Sequence, residues 1–307
     1  MDIGIVGAGK VGCSIGKYLR EQDIPVAGYF SKTKESVESA ATFTETKAFN
    51  SLAELLAASD ILFITTPDDC ISEVWHRLAK ESIQDKIICH FSGSLSSVVF
   101  SDMEQTGAFG CSIHPMYAFS SKFTSYEKLN QVLFTVEGHK QALAVIKPLL
   151  EKAGNRVCVI PPEKKVRYHA AASMVSNMMI GLYQLGLEML MDCGFEAETA
   201  KTLIEPLVRG NLEAVLETSP EQALTGPIER NDKNTVEKHL TELTEKEKQV
   251  YVNLGGVLAE IAGRKNPDRD YTAIIKTLWN GGKNEEHSCD IFAGEGEGRK
   301  ADDADGI

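Results

Sequence analysis

The sequence lacks several features that define whole classes of protein. Its seven cysteines are scattered and include no C-x-x-C pair, so we predict buried thiols in a reducing compartment and no metal site. No apolar run is long enough to span a membrane and no basic-then-apolar leader opens the chain, so we expect a cytoplasmic protein with no membrane partner. The net charge of −12 argues against a nucleic acid partner.

What is present is the composition of a globular protein, with 43% hydrophobic and 25% charged residues. The length of 307 residues suits one large domain or two ordinary ones. Residues 281–307 differ from the rest, because they are rich in Gly, Asp and Glu and poor in apolar side chains. Such a segment cannot bury enough surface to order itself, so we predict a disordered acidic tail there.

Residues 1–160 alternate short β-branched runs with amphipathic helical stretches, which predicts βαβ units and a mostly parallel sheet. The run ILFIT at 61–65 is apolar on both faces, as a sheet covered by helices requires. The predicted fold class is α/β, with a doubly wound first domain. Its predicted strands cover 3–7, 26–30, 61–65, 86–91, 109–113, 132–136 and 156–160.

The pattern changes after the double proline at 161–162. No strand-like run follows, and we predict a second, all-α domain over 161–280 with the active cleft between the two domains. The third of its helices is expected to break near Thr244, and the first to end before Gly194, a favoured C-cap. The predicted helices cover 163–193, 197–217, 233–263 and 268–279.

A glycine loop follows the first predicted strand. Gly7, Gly9 and Gly12 form G-x-G-x-x-G between a strand and a helix, the context in which this motif binds a dinucleotide. Gly7 permits the tight turn, Gly9 lets the backbone approach a pyrophosphate, and Gly12 lets helix and strand pack closely. The helix N-terminus then offers free N–H groups to the phosphates. The loop predicts a Rossmann-type domain.

The end of the second predicted strand suggests which dinucleotide binds. An NAD site usually has an Asp or Glu there for the ribose 2′-hydroxyl, but Phe30 is followed by Ser31, Lys32 and, two residues on, Lys34. A hydroxyl and two ammonium groups suit a 2′-phosphate, so NADP is favoured. The alternative is NAD with a solvated lysine pair. The turn Thr65-Thr66-Pro67 is expected to face the ribose and nicotinamide.

Hydride transfer to a carbonyl or imine also needs a proton donor and a polar group that holds the substrate. The polar turn at Ser92 and the His114-Pro115 pair, where we expect the strand to stop, are two candidates. The third is a polar stripe on one face of a helix that we expect to be buried, formed by His169, Ser173 and Asn177 at i, i+4 and i+8. Ordinary packing of the stripe and a simple turn at His114 are the alternatives.

Taken together, these motifs resemble a known family. Six segments occur in this order along the chain: GIVGAGKVG, TTPDD, HFSGS, HPM, YHAAASMVSN and LTGPIERND. The set resembles the Rossmann-type NADP oxidoreductases with a helical C-terminal domain of unknown function. That family is related to pyrroline-5-carboxylate reductase, prephenate dehydrogenase and 6-phosphogluconate dehydrogenase. The resemblance implies that the glycine loop binds the pyrophosphate and that the turn at 65–67 binds the nicotinamide half. The implied cofactor residues are Gly7, Ala8, Gly9, Lys10, Val11, Ser31, Lys32, Thr65, Thr66 and Pro67.

The resemblance also bears on the catalytic candidates. His169 falls near the catalytic lysine of the 3-hydroxyacid dehydrogenase relatives, although Ser173 departs from their pattern, and prephenate dehydrogenases carry a similar His-Pro near their substrate cleft. We therefore predict catalytic roles for His114, His169, Asn177 and Ser92. Both histidines should open into one pocket, with Gly9 and Thr66 on its other wall.

The family relation implies a function and an assembly. In relatives the helical domain pairs two subunits, which implies a homodimer. The implied function is an NADPH-dependent reductase of a small carbonyl or imine acid. A prephenate-type decarboxylating dehydrogenase and a non-catalytic NADP-binding module remain the alternatives. Asn231 stands where family members often have glycine.

Overall fold

The computed structural model describes residues 1–282, so the predicted tail lies almost entirely outside the described residues. The chain divides into two compact units, of which the first comprises residues 1–179 and the second begins at Ile180. The first unit is built on an eight-stranded sheet with the order β3-β2-β1-β4-β5-β6-β7-β8. The strands are β1 (Ile3–Val6), β2 (Val26–Phe30), β3 (Lys47–Ala48), β4 (Ile61–Ile64), β5 (Ile87–His90), β6 (Phe109–Pro115), β7 (Phe134–Gly138) and β8 (Val157–Val159).

This strand order is that of a doubly wound fold. The chain moves outward from β1 to β3 and then crosses to the other side at β4, which makes the edge beside β1 and β4 the point where such folds bind ligands. All strand pairs are parallel except β6 with β7, so the predicted mostly parallel sheet is confirmed. The two-residue β3 is not among the predicted strands.

Helices cover both faces of the sheet in the first unit. One face buries Ile5 and Phe63, and the opposite face buries Leu62 and Ile64, so β1 and β4 are apolar on both sides as predicted. The helices are α1 (Lys10–Glu21), α2 (Lys34–Thr44), α3 (Leu52–Ala57), α4 (Asp68–Leu78), α5 (Met103–Thr106), α6 (Lys140–Lys152) and α7 (Lys165–Val175).

The strand that carries His114 is longer than predicted. Strand β6 continues to Pro115, and His114 and Pro115 pair with Thr135 and Phe134 of the antiparallel β7. The expectation that the strand stops before the His-Pro pair is therefore wrong. The reason is that β5 ends at His90, opposite Ser112, so β6 has no β5 partner at Pro115. Proline lacks an N–H group, but no hydrogen bond to β5 is lost at this position.

The first helical pattern after the double proline is not one continuous helix. Ser176 separates α7 from α8 (Asn177–Asp192), with φ −113° and ψ −76°. Its hydroxyl donates to the Ala172 carbonyl at 2.7 Å, a back-bond that bends helices. The expectation that this stretch is buried is also wrong, because Met174 and Met178 are exposed and Lys165 is the buried residue of α7.

The second unit is helical throughout its described residues, as predicted. Its core includes Ile228, Val236 and Leu278. The predicted break near Thr244 is present, and Thr244 forms a capping box with Glu247. The helices are the main part of α8, α9 (Ala197–Glu217), α10 (Pro220–Ala223), α11 (Lys233–Glu242), α12 (Glu245–Lys265) and α13 (Thr272–Gly281).

The loop with the LTGPIERND motif has a structural role in the second unit. Asn231 has a φ of +61°, a left-handed conformation in which glycine is favoured. The Asn231 amide donates to the Asp270 carbonyl, and the Tyr271 hydroxyl donates to the Glu229 carbonyl. These bonds tie the loop to the segment before α13.

Two sequence expectations about the whole chain can be compared with the described residues. No helix among residues 1–282 is both long and apolar enough to cross a membrane. The cysteines are unpaired there, but burial differs among them: Cys13, Cys89 and Cys111 are buried, Cys70 is partly buried, and Cys158 and Cys193 are exposed. The thiols of Cys89 and Cys111 lie 3.2 Å apart on neighbouring strands. Cys289 lies outside the described residues.

Candidate active site

The glycine loop between β1 and α1 leaves room for a phosphate group. Gly7 has a φ of +109°, and a Cβ atom at Gly12 would lie 2.2 Å from the Gly7 carbonyl oxygen, so both positions need glycine. A Cβ atom at Gly9, by contrast, would meet nothing within 4 Å. The space beside Gly9 is therefore open, at the N-terminus of a twelve-residue helix whose first N–H groups have no intrahelical partner.

The turn after β4 places a polar group without a partner beside this loop. The buried hydroxyl of Thr65 donates to the Gly7 carbonyl at 2.9 Å, which fixes the turn against the glycine loop. The hydroxyl oxygen of Thr66 is also buried and has no hydrogen-bond partner among residues 1–282. A buried hydroxyl normally has a partner, so Thr66 is suited to bond a ligand here. Pro67 then caps α4.

A cavity of about 500 Å³ lies at the end of β2. The lining includes Ser31, Lys32 and Lys34, and Arg77 of α4 adds a guanidinium group. Lys34 lies 3.6 Å from Glu38, the acidic residue of the lining. Neither Lys32 nor Arg77 forms an ion pair within the described part of the chain. The cavity thus presents cations that are free to bind an anion.

His114 and His169 lie together at the carboxyl ends of β5 and β6. Their ring centroids are 6.0 Å apart, at 76° to each other. Both rings pack on Gly93, where an added Cβ would lie 2.4 Å from Cδ2 of His169 and 2.8 Å from Nε2 of His114. The turn after β5, the end of β6 and the middle of α7 therefore converge on one point.

The same point is connected to the Thr66 turn. The Asp68 carboxylate accepts hydrogen bonds from the hydroxyls of Ser92 and Ser94, at 2.7 and 3.0 Å. Ser92 thus holds the turn after β5 against the start of α4. Asn177 is not brought to this cluster by a hydrogen bond: it lies beyond the helix break at Ser176, and its side chain is exposed.

The environment of His114 disfavours its charged form. Burial, the positive charge of Lys165 and the neighbouring His169 together lower the pKa of His114 to about 4, against a weaker opposite effect of Asp68. Its Nδ1 lies 2.9 Å from the Tyr168 hydroxyl oxygen. Near neutral pH the ring is therefore an uncharged imidazole hydrogen-bonded to Tyr168.

Lys165, the first residue of α7, is fully buried. Its ammonium group donates to the Ser112 hydroxyl at 2.5 Å and forms no ion pair with residues 1–282. Burial lowers the pKa of Lys165 to about 8, although Glu137, Cys111 and Asp68 act in the opposite direction. The group thus carries a positive charge at pH 7 inside the protein.

Lys165 covers a polar part of the sheet. In one row across the sheet, Val6 pairs with Ile64, Ile64 with His90, His90 with Ser112, and Ser112 with Glu137. Paired residues point to the same face, so this face is apolar at β1 and β4 and polar from β5 to β7. His90, Ser112 and Glu137 are all buried, and burial together with Lys165 lowers the pKa of His90 to about 4.

Two domain models match this sequence. One describes a Rossmann-like domain and matches residues 1–115, and the other is the domain of unknown function DUF2520, which matches residues 132–257. The chain joins a Rossmann-like domain to a DUF2520 domain. The resemblance inferred from the sequence motifs is thereby confirmed. No curated protein matches the sequence.

Solved structures are similar to this chain over most of their length. Protein TM1727 from Thermotoga maritima has a TM-score of 0.69 and 26% identity, covering 86% of this chain and 99% of its own. The candidate NADP oxidoreductase BF3122 from Bacteroides fragilis has a TM-score of 0.67 and 23% identity, covering 84% of this chain and 98% of its own. A pyrroline carboxylate reductase from Plasmodium falciparum, solved with NADP bound, has a TM-score of 0.55 and 11% identity, covering 92% of this chain and 97% of its own. These similarities confirm the predicted fold class.

Several residues of the histidine cluster were not found from sequence. Lys165 opens a helix among other charged residues, and Tyr168 stands next to the predicted His169. The available signal was the alternation Ser112, His114 in one strand and Thr135, Glu137 in the next, which marks a polar face on apolar runs. Burial of such a face needs partners, so it would have indicated a site.

Proposed function

We propose that this protein is an NADP-dependent oxidoreductase that transfers a hydride between NADPH and a small carbonyl or imine acid. One observation carries the proposal: the rings of His114 and His169 meet at Gly93. The turn that holds Gly93 is bonded through Ser92 to Asp68, at the start of α4. A polar cluster is thus placed next to a dinucleotide-type loop, at the carboxyl edge of the strands.

The residues present fit a bound dinucleotide. The open space at Gly9 would take the pyrophosphate, and the unpartnered hydroxyl of Thr66 would bond the ribose or nicotinamide end. Lys32 and Arg77, in the cavity after β2, would neutralise a 2′-phosphate, which favours NADP over NAD. The Bacteroides candidate oxidoreductase and the NADP-bound Plasmodium reductase share this fold, which supports the same choice.

When bound, NADPH would supply the hydride. The protein's part is to hold the substrate and to supply a proton to the oxygen or nitrogen that gains electron density. Because its pKa is about 4, His114 is uncharged near pH 7 and serves as a hydrogen-bond donor to the substrate. We assign the proton transfer to His169, which lies on the other side of Gly93. Ser92 holds the turn that both rings contact.

A substrate screen tests the proposal. The protein is incubated with NADPH and a panel of keto and imino acids, or with NADP and 2-hydroxy acids, while absorbance at the reduced-nicotinamide band is followed. We expect turnover with at least one acid, loss of turnover in His169→Ala, and retention of NADPH binding in that variant. Turnover that survives both His169→Ala and His114→Ala would contradict the assignment of these residues.

The two alternatives give different results in the same experiment. A non-catalytic NADP-binding module would bind NADPH and turn over none of the acids. A prephenate-type decarboxylating dehydrogenase would release carbon dioxide as NADP is reduced. Tight binding of neither nucleotide would contradict all three functions.

We further infer that the protein forms a homodimer through its second unit. Several apolar side chains of this unit are exposed, among them Leu203, Leu207 and Leu216 of α9 and Ile180 of α8. Leu216 is 76% exposed. Exposed apolar surface of this kind marks an interaction site. A single monomeric mass in light scattering across micromolar concentrations would contradict the dimer.

A further inference from the structure

Lys165 has no explanation in the architecture of the fold. Its ammonium group is fully buried, and within residues 1–282 its hydrogen bond to Ser112 is not accompanied by an ion pair. A buried cation without a carboxylate partner destabilises a protein relative to an apolar side chain of similar volume. Such a charge acts on titratable groups nearby.

The pairing of the strands identifies His114 as such a neighbour. Ser112, which holds the Lys165 ammonium, and His114 are two residues apart on β6, so their side chains leave the same face of the sheet about 7 Å apart. Helix α7 contacts this face of β6 at two points, because Lys165 bonds Ser112 and Tyr168, three residues later, lies 2.9 Å from Nδ1 of His114. Water is largely excluded here, so the charge is weakly screened.

Other charged or titratable groups face this region from each neighbouring element. Glu137 of β7 accepts hydrogen bonds from the backbone N–H and hydroxyl of Ser97, at 2.7 Å each, and Asp68 accepts from the Ser92 turn. Neither carboxylate pairs with Lys165 within 4.0 Å. The remaining groups that face Lys165 or His114 are His90 of β5 and Tyr168 and His169 of α7. Cys111 of β6 packs with Cys89 on the opposite face of the sheet and acts on the pKa of Lys165 from there.

We propose that Lys165 is a positioning residue whose buried charge keeps the His114 imidazole neutral and in a single tautomer. The Tyr168 hydroxyl has one proton and two acceptors within reach, Met116 Sδ at 3.8 Å and His114 Nδ1 at 2.9 Å. In the tautomer proposed here the nitrogen, which is the stronger acceptor, takes this bond. Nε2–H then points toward Gly93 and His169, where it can donate to a bound substrate. A charged imidazole would carry a proton on both nitrogens and would lose the bond accepted from Tyr168. The role of the donated bond rests on the proposed function, whereas the state of His114 does not.

Nitrogen-15 NMR of the histidine rings tests this in the folded protein without any ligand. Signals of His114 are assigned by their loss in His114→Gln, and each spectrum is followed from pH 3.5 to pH 8. In the wild type we expect the Nε2–H tautomer above pH 5 and a midpoint of about 4. In Lys165→Met the midpoint should rise by roughly one to two pH units, because a buried positive charge held at Ser112, two residues from His114, is removed.

Further variants separate charge from structure. Lys165→Gln also removes the charge but keeps a donor for Ser112, and it replaces Lys165→Met if that variant does not fold. Lys165→Arg retains the charge and should keep the wild-type midpoint, and so should Lys164→Met, which removes an exposed neighbouring lysine. If turnover is found, the acidic limb of the kcat/KM profile should move with the NMR midpoint in these variants.

The outcomes are distinct from those of the proposed function. An unchanged His114 midpoint in a folded neutral variant, or the opposite tautomer in the wild type, would overturn the role of Lys165 whether or not the protein is an oxidoreductase. Failure to bind or oxidise NADPH would overturn the function and leave the titration result intact.

Discussion

Replacing Ser31 with Asp and Lys32 with Ala should reverse the cofactor preference. Both residues line the cavity at the end of β2, and Lys32 forms no ion pair within the described residues that would have to be broken first. In NADPH the 2′-phosphate would lose two hydrogen bonds, one of them charge-assisted, and would meet a new carboxylate. In NADH the new Asp would instead accept a bond from the 2′-hydroxyl.

The size of the effect follows from these bonds. A charge-assisted bond contributes about 1.5–3 kcal/mol and a neutral one about 1 kcal/mol, and the cavity is open to water, so we use the lower end of that range. A loss of about 2.5 kcal/mol corresponds to a Kd for NADPH that is roughly 70-fold weaker. The Kd for NADH should stay within about threefold of the wild type.

Arg77 gives an independent test of the same cavity. Arg77→Gln removes the cation that α4 contributes and should weaken NADPH binding by about 1 kcal/mol, or roughly fivefold, with little effect on NADH. Lys80→Gln is the matched control, since it removes an exposed cation just beyond α4 that does not line the cavity.

Nucleotide fluorescence and calorimetry measure the Kd values for NADPH and NADH. Comparing the Kd values of 2′,5′-ADP and 5′-AMP gives the contribution of the 2′-phosphate alone. Equal losses for NADPH and NADH in the double variant would show that this cavity does not recognise the 2′-phosphate. An effect of Lys80→Gln as large as that of Arg77→Gln would assign the difference to long-range charge and not to the cavity.

Three further predictions concern the loop, the histidine pair and pH. Gly9→Ala should leave thermal unfolding nearly unchanged, since the added Cβ meets nothing within 4 Å, but should reduce NADPH affinity more than tenfold. Equal affinity would refute the pyrophosphate position. Gly93→Ala should lower the free energy of unfolding by about 1–3 kcal/mol and shift the ring NMR signals of both histidines, because its Cβ would lie 2.4 Å from the His169 ring; unshifted signals would contradict this. Stability in urea should fall from pH 6.5 to pH 4 on the order of 2 kcal/mol for each of His90 and His114, because in that window the unfolded chain binds protons that these rings do not; a flat profile would contradict the lowered pKa values.

The parts of the fold that were predicted correctly are those whose signals are local. The strand Ile61–Ile64 is a short apolar run bounded by turn residues, and the glycine loop sits between a strand and a helix within fourteen residues. Such patterns involve residues that are close in sequence, so they can be recognised without knowing the tertiary contacts. The cofactor half of the candidate site was therefore predicted from local patterns, and its individual residues remain predictions.

The wrong predictions depended on partners distant in sequence. Strand β3 has two exposed residues, Lys47 and Ala48, and is a strand because β2 pairs with it. Pro115 remains in β6 because β7 returns antiparallel beside it. The break at Ser176 depends on whether its hydroxyl bonds back to Ala172, which helical periodicity does not reveal.

The missed half of the site has the same origin. His90, Ser112 and Glu137 belong to three separate strands, and their shared face becomes visible once the strand register is known. Lys165 reaches that face from a helix more than fifty residues after Ser112. No spacing rule connects these positions, so the sequence supported His114 as a candidate without its buried neighbours.

The contrast along one row of the sheet is the strongest physical argument that this face serves chemistry. Where the row crosses β1 and β4 it is filled by Val6 and Ile64. Burial of these side chains is favourable and buries no polar group without a partner. Two strands further on, the same row holds Ser112 beneath the Lys165 ammonium, at equal burial. Leu or Met at position 165 would satisfy packing and would remove the cost of a buried charge. The helix over this face therefore holds a charge that packing does not require, and the proposed action of that charge on His114 would account for it.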